Sequence, residues 1–304
     1  MVTYAKKSKI KDVTPRGVRM GKLARPSVVA ELLERHGIRL SKSLGQHFLV
    51  DGNVLDQLLK AADLQPGDTA LEIGPGIGTL TEELCDRAGR VVAIEMDRRL
   101  LAILDDTLGA RKNLELVEGD AMRLDLGRFF EEEENVKVVS NLPYNIATPL
   151  IILLLRELPQ AQSMTVTVQR ELADRYLASP GNPAYGGVSV KIRFLADVSR
   201  MTQVPPTVFF PPPRVDSSII RIERSKAPVT EPELDAFFHF LNAAFSTRRK
   251  MLINALSGGR DPYCERQVVV EALRSAGCSP SSRAEELSGQ ELLSIFNRLM
   301  STMS

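Results

Sequence analysis

Between Pro26 and Arg224 the apolar positions switch repeatedly between the period of a helix and that of a strand. "PSVVAELLERHG" carries its apolar residues on one helical face and ends at Gly37. A second helix is expected through Leu64, capped by Asp51 or Asn53. Short apolar runs then alternate with amphipathic stretches. "DTALEIG", "RVVAIE", "NLELVEGD", "VKVVSNLPY" and "SMTVTVQ" read as strands. "TLTEELCDRAG", "DRRLLAILDDTLG", "TPLIILLLREL" and "RELADRYLAS" read as helices, with Pro149 in a first turn. "VSVKIRFLADVSRMTQV" and "SSIIRIER" read as a closing strand pair. Such alternation predicts an α/β fold with a doubly wound sheet.

After Arg224 the strand period disappears. A Pro-containing stretch, "APVTEPE", is followed by four helical patterns: "PELDAFFHFLNAAF", "TRRKMLINAL", "CERQVVVEALRSAG" and "SGQELLSIFNRLM". The chain therefore divides into residues 26–224, an α/β domain, and residues 225–304, a smaller all-helical one. Residues 1–25 stand apart, with eight Lys or Arg side chains against the single acid Asp12. They read as a basic arm, either a solubilising tail or a segment for a phosphate backbone.

Composition narrows the class. The chain has 304 residues, 43% of them hydrophobic and 25% charged, which suits a water-soluble globular protein. Its net charge of +1 points to no partner. Cys85, Cys264 and Cys278 are widely spaced and the three histidines have no ligand spacing, so neither a disulfide framework nor a metal site is expected. The absence of a long apolar run or an apolar leader makes the cytoplasm the expected location, away from membranes.

Candidate chemistry gathers at strand ends. "LEIGPGIG" (Leu71–Gly78) joins a strand to a helix, where glycines let a ligand approach the backbone and the helix start offers free N–H groups. Gly74 and Gly76 begin a dinucleotide fingerprint, but Gly78 comes one residue too early for its third glycine. Glu95 closes the next strand, in position to accept bonds from the two hydroxyls of a ribose. Asp120 ends the strand after that, placed to receive the exocyclic amine of an adenine. Each acid alone reads equally well as a turn residue. Together they outline an adenosine derivative without a diphosphate.

The fourth strand ends in Asn141-Leu142-Pro143-Tyr144. Pro143 holds Leu142 extended, so that its carbonyl can lie beside the Asn141 amide. Two acceptors and the Tyr144 ring suit a planar amine such as N6 of adenine. Holding both N–H bonds favours a pyramidal nitrogen whose lone pair faces an electrophilic methyl, with positioning as the main source of rate. Methylation at carbon would call for a cysteine nucleophile, and no cysteine lies near these strand ends.

"SLGQHFL", "LEIGPGIGTLT", "VVAIEMD", "GDA", "NLPYNIATPL", "VPPTVFFPPPRVDSSII" and "AFSTRRKMLINAL" occur in this order. Across residues 27–300 or so, this series resembles the rRNA adenine N6-dimethyltransferase family, specifically its bacterial small-subunit branch. The resemblance implies a Rossmann-like methyltransferase domain with a helical C-terminal domain for rRNA recognition. It implies S-adenosyl-L-methionine as methyl donor. The acceptors would be two adjacent adenines in the 3′-terminal hairpin loop of 16S rRNA, within a 30S pre-ribosomal particle. Carried over, the donor site falls on His47, Leu49, Gly74, Gly76, Glu95, Asp120 and Asn141. The target base falls to Asn141, Leu142, Pro143 and Tyr144, with Phe209 closing on its other face. Read without the family, Phe209 is a core aromatic beside a Pro-rich turn. His47 stands where many relatives carry Asn, adding a titratable ring.

Two other readings compete. The sister branch that methylates 23S rRNA shares the same crevice, although "AFSTRRKMLINAL", with its basic cluster Arg248, Arg249 and Lys250, fits the small-subunit branch better. A non-catalytic RNA-binding assembly or transcription factor could keep the fold, but the intact site motifs speak against lost activity. A nicotinamide-dependent oxidoreductase fails on the glycine spacing. Nothing in the sequence requires more than a monomer.

Overall fold

The computed structural model describes residues 23–38, 46–225, 231–247, 249–258 and 262–303. The first helix, α1 (Pro26–Arg35), starts on its proline, and α2 (Gly52–Ala62) is capped by Asp51, whose carboxylate accepts from the N–H groups of Asn53 and Val54. Then come β2 (Thr69–Ile73), α3 (Thr79–Cys85), β3 (Arg90–Glu95), α4 (Arg98–Leu108), β4 (Leu114–Glu118), β5 (Val136–Asn141), α5 (Ala147–Glu157) and β6 (Ala161–Gln169). Two elements were not expected from the sequence: the two-residue strands β1 (Phe48–Leu49) and β8 (Phe209–Phe210), which pair antiparallel.

The chain continues through α6 (Arg170–Leu177), α7 (Gly187–Leu195), β7 (Ala196–Val204) and β9 (Ser217–Arg224). The main sheet runs in the order β4-β3-β2-β5-β6-β9-β7. Strands β2 to β6 are parallel, and β9 is antiparallel to both β6 and β7. Opposite faces of one strand feed different cores. Ala70, Val91 and Val139 pack with α2 and α3, whereas Leu71, Val92 and Val138 pack with α5 and the helices beyond it. Burial on both faces explains why these strands read as continuous apolar runs.

One expected strand is a helix. "VSVKIRFL" belongs to α7, because Val188, Ile192 and Leu195 also follow helical spacing and the Ser189 hydroxyl accepts from the Gly186 N–H at 3.0 Å. Only "ADVSRMTQV" forms the strand, at the sheet edge.

From residue 231 the described chain is helical: α8 (Glu231–Ala244), α9 (Leu252–Ser257), α10 (Arg266–Ser275) and α11 (Gly289–Met303). Their apolar faces, including Phe237, Phe240, Leu273 and Phe296, join the same buried cluster as Leu154 of α5 and Val190 of α7. Most of the basic arm lies outside the described residues.

Candidate active site

The sheet leads outward from β2 to β3 and β4, then returns to β5 on the other side of β2. That reversal opens a crevice at the strand C-termini, where open α/β sheets bind ligands. A cavity of about 250 Å³ lies there, lined by the loops after β2, β3, β4 and β5 and by the segment around β1.

The glycine loop is built by crowding as well as by turn geometry. Gly74, Gly76 and Gly78 have φ of 71°, 64° and 89°, a region costly for other residues. A side chain at Gly76 would start 2.6 Å from Cε1 of Phe48, and one at Gly74 would start 3.5 Å from Cγ of Pro143. The loop thus touches both β1 and the Asn-Leu-Pro-Tyr turn. The Gly76 N–H donates to Glu95 Oε2 at 3.1 Å. Oε1 of the same carboxylate accepts from the N–H groups of Met96 and Asp97, each at 2.9 Å. Burial raises the Glu95 carboxyl above its ordinary range, and the three N–H donors draw it back.

Asp120 accepts from the Met122 N–H at 3.0 Å and faces Arg123 at 3.4 Å. Leu49 and Leu142 are buried walls of the cavity. Asn141 donates from Nδ2 to the His47 carbonyl at 2.8 Å, which leaves its Oδ1 buried with no hydrogen-bond partner. Tyr144 is tied at its hydroxyl to Ser217 Oγ, 2.6 Å away, and its ring stacks on that of His47 with centroids 5.6 Å apart. The geometry thus brings together His47, Leu49, Gly74, Gly76, Glu95, Asp120, Asn141, Leu142, Pro143 and Tyr144 around one cavity.

Phe209 is the exception among the expected residues. It pairs with Leu49 across the β1–β8 ladder, is 3% exposed, and packs among Leu55, Leu58 and Ile219, away from the cavity lining. Here the core-aromatic reading describes its place. Of the basic cluster, Arg248 lies outside the described residues. Arg249 and Lys250 line a second cavity with Arg175 and Arg283.

The sequence reading missed Glu72. It is the next-to-last residue of β2, is 2% exposed, lines the cavity, and has an unpartnered Oε2. Burial pushes its carboxyl up to about 8, the Thr81 hydroxyl partly opposes this, and the Glu95 charge adds to it. The signal was present: a carboxylate inside a strand buried on both faces is costly without a purpose. Thr79, with its own unpartnered buried hydroxyl, lies beside it in the lining. Four carboxylates border the cavity, those of Glu72, Glu95, Asp97 and Asp120, and no lysine or arginine lines it among the described residues. Within those residues no cluster of side chains suits a metal ion, and no helix is long and apolar enough to cross a membrane.

Known proteins are similar to this chain in sequence and fold. A profile of the ribosomal RNA adenine dimethylase family matches residues 37–301. The chain is 43% identical over 289 residues to the ribosomal RNA small subunit methyltransferase A of Pelotomaculum thermopropionicum, covering 91% of this chain and 97% of that one. It is 39% identical over 284 residues to the protein of the same name from Alkaliphilus oremlandii, covering 92% and 99%. Among solved structures, a dimethyladenosine transferase from Plasmodium falciparum superposes with a TM-score of 0.69 at 26% identity, covering 84% of this chain and 98% of its own. The 23S rRNA methyltransferase ErmE does so with a TM-score of 0.61 at 27% identity, covering 83% and 99%. With a Rossmann-like methyltransferase fold and a family profile matched over most of its length, the chain belongs to the ribosomal RNA adenine dimethylase family.

Proposed function

We propose that this chain dimethylates N6 of two adjacent adenines in the 3′-terminal hairpin loop of 16S rRNA, in the cytoplasm, on a 30S particle under assembly. The observation that carries the reading is the unpartnered Oδ1 of Asn141. An acceptor buried without a partner is costly, and an incoming N–H donor removes that cost. The bond from Nδ2 to the His47 carbonyl fixes which end of the amide is offered.

S-Adenosyl-L-methionine, when bound, supplies an electrophilic methyl group. The residues present fit it: the carboxylate-lined cavity favours a cation and disfavours a diphosphate. Glu95 would hold the ribose hydroxyls and Asp120 the adenine amine, with His47 and Leu49 toward the methionine end. On the acceptor side, Asn141 Oδ1 and the Leu142 carbonyl would hold the two N–H bonds of the target amine. Pro143, backed against Gly74, would fix their spacing, and Tyr144 would carry the base by stacking. No residue need act as a base of special strength, since the proton is acidic once the nitrogen is methylated. Positioning of this kind is worth several powers of ten in rate.

The small-subunit substrate is favoured over 23S rRNA by the relatives at 39% and 43% identity, against 27% for the 23S enzyme. We assign RNA recognition to the helical part from residue 225 on, where Arg249 and Lys250 are exposed. Labelled donor and 30S particles from a strain lacking the modification test the reading. Dimethyladenine in the 3′-terminal hairpin is expected; label only in protein-free 23S rRNA would refute it.

A further inference from the structure

The proposed scheme leaves one ring contact unused. His47 is joined to three separate segments of the crevice. Its backbone carbonyl accepts from Asn141 Nδ2 at 2.8 Å. Its Nδ1 lies 2.7 Å from the carbonyl oxygen of Pro211, and since a carbonyl only accepts, Nδ1 carries the hydrogen. Its ring lies on the Tyr144 ring, with centroids 5.6 Å apart and planes 27° apart. The Tyr144 hydroxyl is held independently, 2.6 Å from Ser217 Oγ.

We infer that His47 is a positioning residue for the target base: its ring backs one face of Tyr144, so that the base stacks on the opposite face. This rests on the proposed function. Phe209 is buried in the core and is not part of the cavity lining, and Phe48, the one phenylalanine of that lining among the described residues, packs against Gly76. The tilt of the Tyr144 platform is therefore set from behind, by the His47 ring. Two flexible torsions of Tyr144 are fixed by two contacts, the hydroxyl bond at the rim and the imidazole at the face. The tie to Pro211 in turn holds the imidazole, which links the platform to the Pro-rich turn that follows β8.

The geometry separates two tasks of this residue. Orientation of Asn141 uses the backbone carbonyl, which any residue at position 47 retains. Support of Tyr144 uses the ring, which the asparagine of many relatives lacks. His47→Asn keeps an amide N–H for Pro211 but removes the stack, whereas His47→Phe keeps the stack and removes the N–H.

The test uses the full chain and 30S particles lacking the modification. For His47→Asn, single-turnover methyl transfer should fall roughly three- to tenfold, the range expected for a lost aromatic pair. Transfer is read at saturating donor, because His47 also lies toward the methionine end of the donor site, and the KM for 30S particles should stay within about threefold. His47→Phe should recover most of the rate. In a Tyr144→Leu background, His47→Asn should cost little more, because the ring it supports is gone. Full-rate transfer by His47→Asn, or losses that multiply in the double variant, would overturn the inference. So would an effect confined to donor affinity. Absence of any dimethyladenine with the unaltered chain would instead overturn the underlying function.

Discussion

Glu72→Gln isolates the energetic cost of the most buried acid in the crevice. The Glu72 carboxyl is 2% exposed, has an unpartnered oxygen, and is raised from the usual 4.5 to about 8 by burial. Between these values the unfolded chain carries the carboxylate ionised, while the folded chain keeps the proton. Folding then takes up a proton, so stability falls as pH rises through this window and is level below and above it. Each pH unit corresponds to about 1.4 kcal/mol, so from about pH 5 to about pH 7 this one group removes about 3 kcal/mol. Glutamine is nearly isosteric and does not titrate. Urea unfolding of both proteins across this range gives the difference in stability at each pH, with all other groups cancelling. That difference should shift toward the variant by about 3 kcal/mol. A constant difference would show that the carboxyl is ionised in the fold, and the account of Glu72 would fail. A cation entering the cavity should expel the proton. Donor binding near neutral pH should therefore show buffer-dependent heats that Glu72→Gln abolishes.

Gly76→Ala should lower stability by about 1–3 kcal/mol and weaken donor binding. Its new carbon would sit 2.6 Å from the Phe48 ring at a φ of 64°. Gly67→Ala, with open space around it, should stay within about 0.5 kcal/mol when both variants are compared by thermal melts. Arg224→Gln should cost about 2–3 kcal/mol by urea unfolding. The guanidinium donates to the carbonyls of Leu154 at 3.1 Å, Leu158 at 2.7 Å and Ala161 at 3.0 Å, and also to that of Leu155. It satisfies the end of α5, and glutamine cannot reach all four. Asn141→Asp keeps an acceptor but loses the N–H that donates to the His47 carbonyl. It should lower single-turnover methyl transfer by at least about tenfold, and wild-type turnover would show that anchoring the amide is irrelevant.

The parallel strands were legible because burial on both faces leaves continuous apolar runs, and the four loops of the crevice follow from their order. "VSVKIRFL" was not legible, because its apolar residues satisfy both strand and helix spacing and tertiary packing decides between them. The β1–β8 pair was invisible for a different reason. Each strand has two residues, and about 160 residues of chain separate them, so no local period marks either. That pairing also decides where Phe209 points: opposite Leu49, its side chain turns into the core. A motif can name an aromatic at a position without naming the face it takes. The contact of His47 with Tyr144 was hidden likewise, since only the folded loops bring the rings together. Glu72 was readable in principle, as a charge in a run where all five residues are buried.

Two independent features of the crevice disfavour a dinucleotide. The glycine spacing lacks the third position, which in a dinucleotide fingerprint lets the helix pack closely on the strand. The lining adds the carboxylates of Glu95, Asp97 and Asp120 beside the protonated Glu72, with no opposing lysine or arginine among the described residues, so a phosphate group would enter a field of its own sign. Holding these acids is costly to the free protein: burial raises the carboxyls of Glu72 and Glu95, and the Glu95 charge adds to this at Glu72. Evolution toward stability alone would replace Glu72 with an apolar residue of the strand, as at Leu71 and Ile73 beside it. A buried acid in that place makes sense as the complement of a positive ligand, whose arrival would expel the proton and give the carboxylate a partner. The unpartnered Asn141 Oδ1 belongs to the same pattern on the acceptor side. On the proposed function, one wall of the cavity would take a cation and the other an N–H donor, and a methyl transferred from a sulfonium to an adenine amine would bring both to the same place.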